Sequence, residues 1–524
     1  MNDMKHYIRH IATIAVLLIG LTACEGFLDT VPTSSVVDKN AMVTLADAGV
    51  ACNGLYTPLK YYTLYGTYIP YMGDLRADNI YPRMSGGTGA VIYTWQYESS
   101  QNSYFGTFWE NYYNVIMRCN TFIENIDACE ASSSYETALK NDYTGQAYAV
   151  RALCYFDLAR LYGQPFTYDN GSSLGAVLIT NTVGPKEARL PRNTVAETYE
   201  QVLSDLTKAK GLLSKDPNLG HFNYWAARLL EARVYLYMGR NGEALTAATE
   251  VINNSPYRMV SGADYANYWG REGDMESVLE LLVSVLGDID PDGGFYTMYH
   301  NLWFDDPNSG ASLLPTLKWR NLFKDTPNDI RGQMIQYDDP ETGAKKSGEF
   351  WLRKFIGNKD QGYTFRRNNP RVLRITEAYL IAAEAALANG NTADASRYLN
   401  AVRKRADATA TDVTATKELI QIERQKELIG EGHRFFDVLR TGGEITSDSS
   451  DPHEFRSGSA YTHTLKAGDT KAVLPISSDE RAPSTSPTPC VRQPRNTKTS
   501  TSAKCLTMKS SKGWTWRLTA TSAS

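Results

Sequence analysis

The pattern most suggestive of site chemistry is an acidic triplet in the middle of the chain. Asp288, Asp290 and Asp292 occupy alternate positions and Gly293 follows them. This order is similar to the start of a calcium-binding loop, in which carboxylate oxygens surround the ion. The twelfth position carries Tyr299 instead of the glutamate that closes such a loop. The sequence therefore excludes a complete EF-hand and predicts an Asp/Gly turn, with a weak calcium site as the alternative and no other cofactor.

The remaining reactive residues do not indicate a catalytic centre. The chain contains no H-E-x-x-H and no G-x-x-x-x-G-K sequence, which are signatures of zinc hydrolases and phosphate-binding loops. Its seven histidines are scattered, and its seven cysteines include no C-x-x-C pair. Carboxylates are abundant, but a glycosidase pair is defined by the distance between two groups, which sequence does not give. We therefore predict a protein that is not an enzyme.

Aromatic residues give a more positive indication of function. The chain has 33 tyrosines and 9 tryptophans, and aromatics make up 11% of its residues. Tyr and Trp have an apolar ring and a polar tip, so they suit surfaces that are partly wet and still bind. The apolar C–H face of a sugar ring can stack on such a ring while Arg, Asn and Asp bind the hydroxyl groups. The net charge of −4 argues against a nucleic-acid ligand.

The first 24 residues have the order of a secretory signal. A basic start precedes the apolar run 11–21, which is too short to span a bilayer as a finished helix. Two small residues and Cys24 follow, and this order resembles a lipobox, in which the cysteine is acylated. We expect residues 1–23 to be a lipoprotein signal peptide and Cys24 to be the lipid attachment site. An ordinary signal peptide with a chance cysteine is the alternative.

Helical periodicity dominates the rest of the chain. Residues 228–252 and 376–405 each read as a helix, a short glycine turn and a second helix, with apolar residues three and four positions apart. Superimposing Gly239 on Gly390 aligns alanine, leucine and valine positions that would pack the two helices closely. Such units are typical of tetratricopeptide repeats, although an ordinary helical domain is the alternative. Between about 257 and 369 the pattern gives way to a loop-rich, aromatic insertion, so we predict a mainly α fold.

One segment then carries a specific resemblance. Residues 421–440 read QIERQKELIGEGHRFFDVLR and resemble the hallmark segment of the SusD/RagB family of outer-membrane nutrient-uptake lipoproteins. The start at Cys24, residues 73–79 (GDLRADN) and residues 151–165 (RALCYFDLARLYGQP) are also similar to that family, in the right order. The resemblance covers about residues 22–476.

This resemblance implies both a fold and a task. Tetratricopeptide-like helix pairs would form one side, and a loop-rich aromatic face would bind the ligand. Family members sit lipid-anchored on the outer membrane, facing the cell surface. They capture oligosaccharides for a SusC-like, TonB-dependent transporter and do no covalent chemistry. Three alternatives stay open, namely a peptide-capturing member of the same family, a lipid-anchored hydrolase and a pure scaffold built on helical repeats.

The resemblance also implies where ligand residues lie. In the family they come from the loop after the Gly-Asp motif and from the large insertion. The aromatic candidates at those positions are Trp95, Tyr296, Trp303 and Trp319. The polar candidates are Arg83, Asp74 and Asn79. Each tryptophan has buried core as its alternative, and Asp74 has capping of a helix or turn.

The last part of the chain departs from the family pattern. Residues 24–482 fit a single SusD-like domain, whereas residues 483–524 are basic, rich in Ser and Thr, and without periodicity. We expect this tail to be disordered, or to be the product of another reading frame. A genuine basic tail that contacts lipid or glycan is the rival interpretation.

Overall fold

The structure is a computed structural model that describes most of the chain. The described residues are 42–61, 63–82, 87–98, 102–182, 190–283, 313–337, 350–352, 354–355, 368–446, 464–476, 507–511 and 515–519.

These residues form fifteen α-helices. They are α1 (Leu45–Tyr56), α2 (Tyr68–Asp74), α3 (Gly87–Tyr93), α4 (Asn102–Asn125), α5 (Ser134–Tyr162), α6 (Phe166–Asp169), α7 (Val195–Leu212), α8 (Tyr224–Tyr237), α9 (Asn241–Asn254), α10 (Tyr265–Tyr268), α11 (Leu317–Arg320), α12 (Ile375–Ala388), α13 (Thr392–Ala406), α14 (Lys417–Glu427) and α15 (Arg434–Arg440). The prediction of a mainly α fold is confirmed. None of the described helices is both long and apolar enough to cross a membrane.

Paired helices form what we call the helical region, which consists of α4, α5, α7, α8, α9, α12 and α13. Gly239 joins α8 to α9 and Gly390 joins α12 to α13, with φ angles of 72° and 79°. Only glycine adopts this left-handed conformation without strain, so both hairpins turn where the sequence predicts. The aligned positions are all fully buried: Ala244, Ala248 and Val251 in one hairpin, and Ala395, Leu399 and Val402 in the other.

Short strands pair segments that are far apart in the chain. The strands are β1 (Ile80–Pro82), β2 (Ser277–Glu280), β3 (Leu313–Pro315), β4 (Ile335–Tyr337), β5 (Phe350–Leu352), β6 (Arg371–Arg374), β7 (Glu444–Thr446), β8 (Thr464–Lys466), β9 (Thr507–Ser511) and β10 (Thr515–Thr519). They form five antiparallel two-stranded sheets in the described residues, which pair β1 with β3, β2 with β6, β4 with β5, β7 with β8 and β9 with β10.

The loop-rich region comprises the described residues within 73–97, 257–337 and 350–374. In it, β1 pairs with β3 so that Ile80 lies opposite Pro315, and β2 pairs with β6 so that Ser277 lies opposite Arg374. These pairings bring the N-terminal segment and both ends of the insertion together. They therefore build the face on which the sequence predicts a ligand site.

The hallmark segment, residues 421–440, contains most of helix α14 and all of α15. The turn between them includes Gly430 and Gly432, which have φ angles of 79° and 80°. In the tail, the backbone of β9 and β10 forms an antiparallel pair, whereas the sequence predicted no regular structure there. The other residues after 476 lie outside the described part of the chain.

Candidate functional site

The loop-rich region is fixed to the hallmark segment by buried ion pairs. Glu427, at the end of α14, lies 2.7 Å from Arg405, 3.2 Å from Arg374 and 3.1 Å from Arg331. Burial opposes ionisation of this carboxyl, but the three guanidinium groups hold its pKa well below the usual range. Arg331 comes from the insertion and Arg405 from the helical region. One carboxylate therefore links both regions to the hallmark segment.

The turn after α14 continues this network. Glu431 forms ion pairs with Lys354 and with Arg374, each at 2.7 Å. Arg374 also pairs with the fully buried Glu276 at 2.5 Å. Charged groups removed from water to this extent are stable only when they are paired and hydrogen-bonded. The network consequently specifies how these loops pack, and its charges are engaged in the fold.

Asp74 has a structural role at a turn, which is the alternative to its expected role at a ligand. It is completely buried, and its Oδ2 accepts a hydrogen bond from the backbone N–H of Gly432. A Cβ atom on Gly73 would come within 1.9 Å of the Gly432 carbonyl oxygen, so only glycine fits there. Burial raises the pKa of the Asp74 carboxyl to about 7, although Gly432 and Lys354 favour the charged form. The expectation that Asp74 faces a ligand is therefore wrong.

Asp78 and Asn79 make further contacts between residues 73–79 and the hallmark segment. Asp78 pairs with Arg434 at 2.6 Å and with Lys318 at 2.7 Å. Asn79 is 1% exposed, and its Oδ1 accepts a hydrogen bond from Gln425 at 2.7 Å. The expected role of Asn79 as a ligand group is corrected in the same way, because Gln425 already binds its side-chain oxygen.

Both predicted tryptophans in the described residues lie in the core. Trp95 is 2% exposed and donates its Nε1–H to the carbonyl oxygen of Arg76 at 2.9 Å. Trp319 is 0% exposed and donates to the carbonyl oxygen of Gln425 at 2.9 Å. A buried indole needs a partner for its N–H, and both have one. The expectation that these rings are exposed to stack on a sugar is therefore wrong.

Several predicted residues lie outside the described part of the chain. These are Cys24, Arg83, Tyr296, Trp303 and the acidic triplet Asp288, Asp290 and Asp292. Within the described residues, no group of three or more His, Cys, Asp or Glu side chains is arranged to hold a metal ion. The roles of Cys24, Arg83, Tyr296, Trp303 and the acidic triplet stay predictions.

One spacing of catalytic type escaped the sequence search. Residues 171–175 read G-S-S-L-G, which matches the G-x-S-x-G pattern of serine hydrolases. In those enzymes the serine sits on a sharp turn between a strand and a helix, whereas Ser173 lies in the loop between α6 and α7. Its Oγ is buried and has no hydrogen-bond partner among the described residues, so no base activates it. The G-S-S-L-G sequence at 171–175 therefore forms part of a loop and not a catalytic site.

An open groove lies on the loop-rich region beside Trp319. Groove 1 has a volume of about 340 Å³ and is bounded by the turns that follow α11 and precede β4. Its lining residues are Leu317, Arg320, Asn321, Phe323, Lys324, Thr326, Pro327, Gly332, Gln333 and Ile335. Trp319 packs edge-on against Phe323, with ring centroids 4.9 Å apart, and thus supports the groove from below.

A second groove adjoins the first. Groove 2 has a volume of about 590 Å³ and lies between residues 259–263, 328–333 and 404–409. Gln333 lines both grooves, so they adjoin at this side chain. Each volume falls in the range of small-molecule sites. Together they are the candidate ligand site in the described residues.

Sequence reasoning missed these lining residues for a physical reason. It singled out Trp319 because tryptophan is a good stacking residue, but the neighbours Asn321 and Lys324 are the exposed ones. The available signal was the run K-W-R-N-L-F-K at 318–324, where donors alternate with apolar residues around a short helix. Which of those side chains faces water depends on α14, about a hundred residues further along.

The fold is that of the SusD superfamily, in which solved structures match this chain over 83% of its length. The chain belongs to the SusD family: the SusD family model matches residues 224–482. A second family model, described as "starch-binding associating with outer membrane", matches residues 28–236. The predicted family is therefore confirmed. The chain is a member of a carbohydrate-binding, outer-membrane-associated family whose members are binding proteins.

Individual relatives agree with this assignment. A SusD superfamily protein from Bacteroides thetaiotaomicron is 34% identical, with a TM-score of 0.74, over 83% of this chain and 96% of that one. A putative sugar-binding protein from Bacteroides vulgatus is 30% identical, with the same TM-score and coverage. A SusD-like protein from Formosa agariphila is 25% identical over 83% of this chain and 90% of its own length.

Proposed function

We propose that this protein captures oligosaccharides at the cell surface and delivers them to a SusC-like, TonB-dependent transporter in the outer membrane. The observation that carries this proposal is the pair of grooves that adjoin at Gln333. They offer exposed hydrogen-bond donors at Asn321, Lys324 and Gln333, and the mostly buried ring of Phe323 forms part of the lining. Donors next to an apolar ring suit a sugar, which has hydroxyl groups around an apolar face.

We place further ligand contacts at the predicted residues Arg83, Tyr296 and Trp303. The two aromatic side chains would stack on sugar rings, and the guanidinium would bind hydroxyl groups. Replacing Trp303 by alanine is then expected to weaken glycan binding while the melting temperature stays unchanged. A large fall in melting temperature would place Trp303 in the core instead. Binding is measured by isothermal titration calorimetry and stability by thermal unfolding.

Lipid anchoring at Cys24 would hold the protein at the membrane. Two or more acyl chains make a stable anchor, whereas one is marginal. The variant Cys24→Ala should therefore appear in the soluble fraction of cells that express it. Retention of this variant in the membrane fraction would contradict the anchor.

A binding screen tests capture directly. The chain from Glu25 onward is applied to arrays of neutral, uronic-acid and sulfated polysaccharides, with a peptide mixture in parallel. Binding to one polysaccharide class supports the proposal. Binding only to peptides contradicts it and favours a peptide-capturing role. Co-purification of the tagged lipoprotein with an outer-membrane barrel from its own cells tests delivery.

A further inference from the structure

Groove 1 differs from groove 2 in the charge of its lining. Arg320 and Lys324 contribute cationic groups to groove 1, and no carboxylate is present among its described lining residues. The charged lining residues of groove 2 are Asp407, Lys404, which pairs with Asp412 at 2.8 Å, and Arg405, which pairs with Glu427 at 2.7 Å. Lys324 therefore gives groove 1 a positive charge that no carboxylate among its described lining residues offsets, whereas the two cations of groove 2 are paired.

Lys324 is the most accessible charge in groove 1. It is exposed, and the described residues provide no carboxylate partner for its ammonium group. The adjacent Asp325 is not among the lining residues of the groove. A compact ammonium group at the wall of a depression attracts an anion and can donate up to three hydrogen bonds to it.

In the wall behind Phe323, the charged groups are paired with one another. Lys426 Nζ lies 4.8 Å from the centre of the Phe323 ring and 3.5 Å from an oxygen of Asp329. Asp329 itself is buried and is held by Arg331 at 2.7 Å. Asp329 is thus already paired with two cations, so it adds no uncompensated negative charge behind Phe323.

The two walls of groove 1 are held at a fixed separation. A Cβ atom on Gly332 would lie 2.9 Å from the Cβ of Phe323, so the wall that contains Gly332 packs directly on that ring. Arg331 joins this wall to Glu423 and Glu427 of the hallmark segment at 2.7 Å and 3.1 Å. The positive charges therefore sit on a preorganised support, which favours selective binding.

We propose that the glycan captured by this protein is anionic, with a uronate carboxylate or a sulfate ester bound at Lys324 in groove 1 and neutral residues continuing past Gln333 into groove 2. This inference rests on the proposed function and specifies its ligand class. A carboxylate and a sulfate present the same chemistry to an ammonium group, namely several acceptor oxygens with negative charge.

Calorimetric titration of the purified lipoprotein in detergent tests the proposal. The probes are oligogalacturonate, a sulfated galactan oligosaccharide and neutral maltoheptaose. We expect one of the two anionic probes to bind more tightly than maltoheptaose, with an affinity that falls as salt is added. The variant Lys324→Gln should lower that affinity by roughly tenfold, as expected for loss of a hydrogen bond to a charged group. Lys324→Arg, which keeps the charge, should retain most of it.

A matched lysine elsewhere provides the control. Lys208 is exposed on α7 in the helical region, so Lys208→Gln should leave every affinity unchanged. The proposal is overturned if maltoheptaose binds as tightly as both anionic probes, or if Lys324→Gln has no effect on the bound anion; the proposed function then still stands. If the screen and these titrations find no glycan that binds, the proposed function fails as well.

Discussion

The helical region and the loop-rich region of this protein differ in what fixes their packing. The helical region packs small apolar residues, as at Ala248, and its helices are joined by simple buried ion pairs, as between Arg151 and Asp205 at 2.7 Å. The loop-rich region is fixed by buried charges, as where Glu427 contacts three arginines. Apolar packing tolerates many sequences, whereas a buried ion pair requires both partners. We conclude that the charges determine the shape of the binding face and that the helices supply its support.

The largest expected effect comes from breaking the charge network. The variant Glu427→Gln leaves Arg374, Arg405 and Arg331 without a shared carboxylate in the protein interior. Loss of one partner of a buried pair costs about 3–5 kcal/mol. We expect the free energy of unfolding, measured in urea, to fall by about this amount. The exposed Glu418 on the same helix is the control, and a similar loss in Glu418→Gln would contradict the assignment.

A substitution in the helical region should have a smaller effect. Ala248 is fully buried on α9, so Ala248→Leu forces extra carbon atoms into a packed interface. Overpacking of this kind costs about 1–3 kcal/mol. Thr246→Leu, on the exposed face of the same helix, should change the free energy of unfolding by less than about 0.5 kcal/mol. If Ala248→Leu is also neutral, the close packing of this hairpin is not required.

The contribution of Asp74 to the free energy of unfolding should depend on pH in a defined direction. Because burial raises its pKa to about 7, the folded protein holds this proton more tightly than the unfolded chain does. This contribution to the free energy of unfolding is fully present below about pH 4, which is the pKa of the Asp74 carboxyl in the unfolded chain. It declines as the pH rises to about 7, by at most about 1.4 kcal/mol per pH unit. Asp74→Asn should remove this decline, seen by comparing urea unfolding of the two proteins across that range. An unchanged pH profile in the variant would contradict a buried, protonated Asp74.

The smallest effect on stability is expected at the groove itself. Lys324 is exposed and has no carboxylate partner among the described residues, so Lys324→Gln should shift the free energy of unfolding by less than about 0.5 kcal/mol. Thermal unfolding of this variant beside the native protein checks the expectation. A marked loss of stability would mean that Lys324 supports the fold, and its loss of binding would then have a different cause.

The same contrast explains which parts of the fold sequence reasoning could predict. Helices are encoded locally, since apolar residues three and four positions apart share a face, and the match of Ala248 with Leu399 follows from that period. Buried polar residues are not encoded in this way. Asp74 binds the N–H of a residue 358 positions away, and Asn79 binds a side chain 346 positions away. Nothing near Asp74 in the sequence distinguishes a carboxylate that meets a ligand from one that meets the chain itself.

The candidate site shows more clearly which residues cannot be predicted from sequence. Tryptophan is a sound choice for sugar stacking by residue type, yet both Trp95 and Trp319 use their N–H groups to hold the core together. Their neighbours form the accessible surface, because a large ring that packs inward turns adjacent polar residues outward. The presence of Trp319 in the sequence therefore indicated where groove 1 lies, but it did not indicate which residues line the groove.

Hydrogen exchange with and without a bound glycan tests the central claim most directly. The probe is the polysaccharide that binds in the screen, added to the purified protein at saturation. The account predicts slower exchange of backbone amides in residues 317–335, which line groove 1, and unchanged exchange in the buried hairpin of α12 and α13. Slower exchange confined to that hairpin, with residues 317–335 unaffected, would contradict the account.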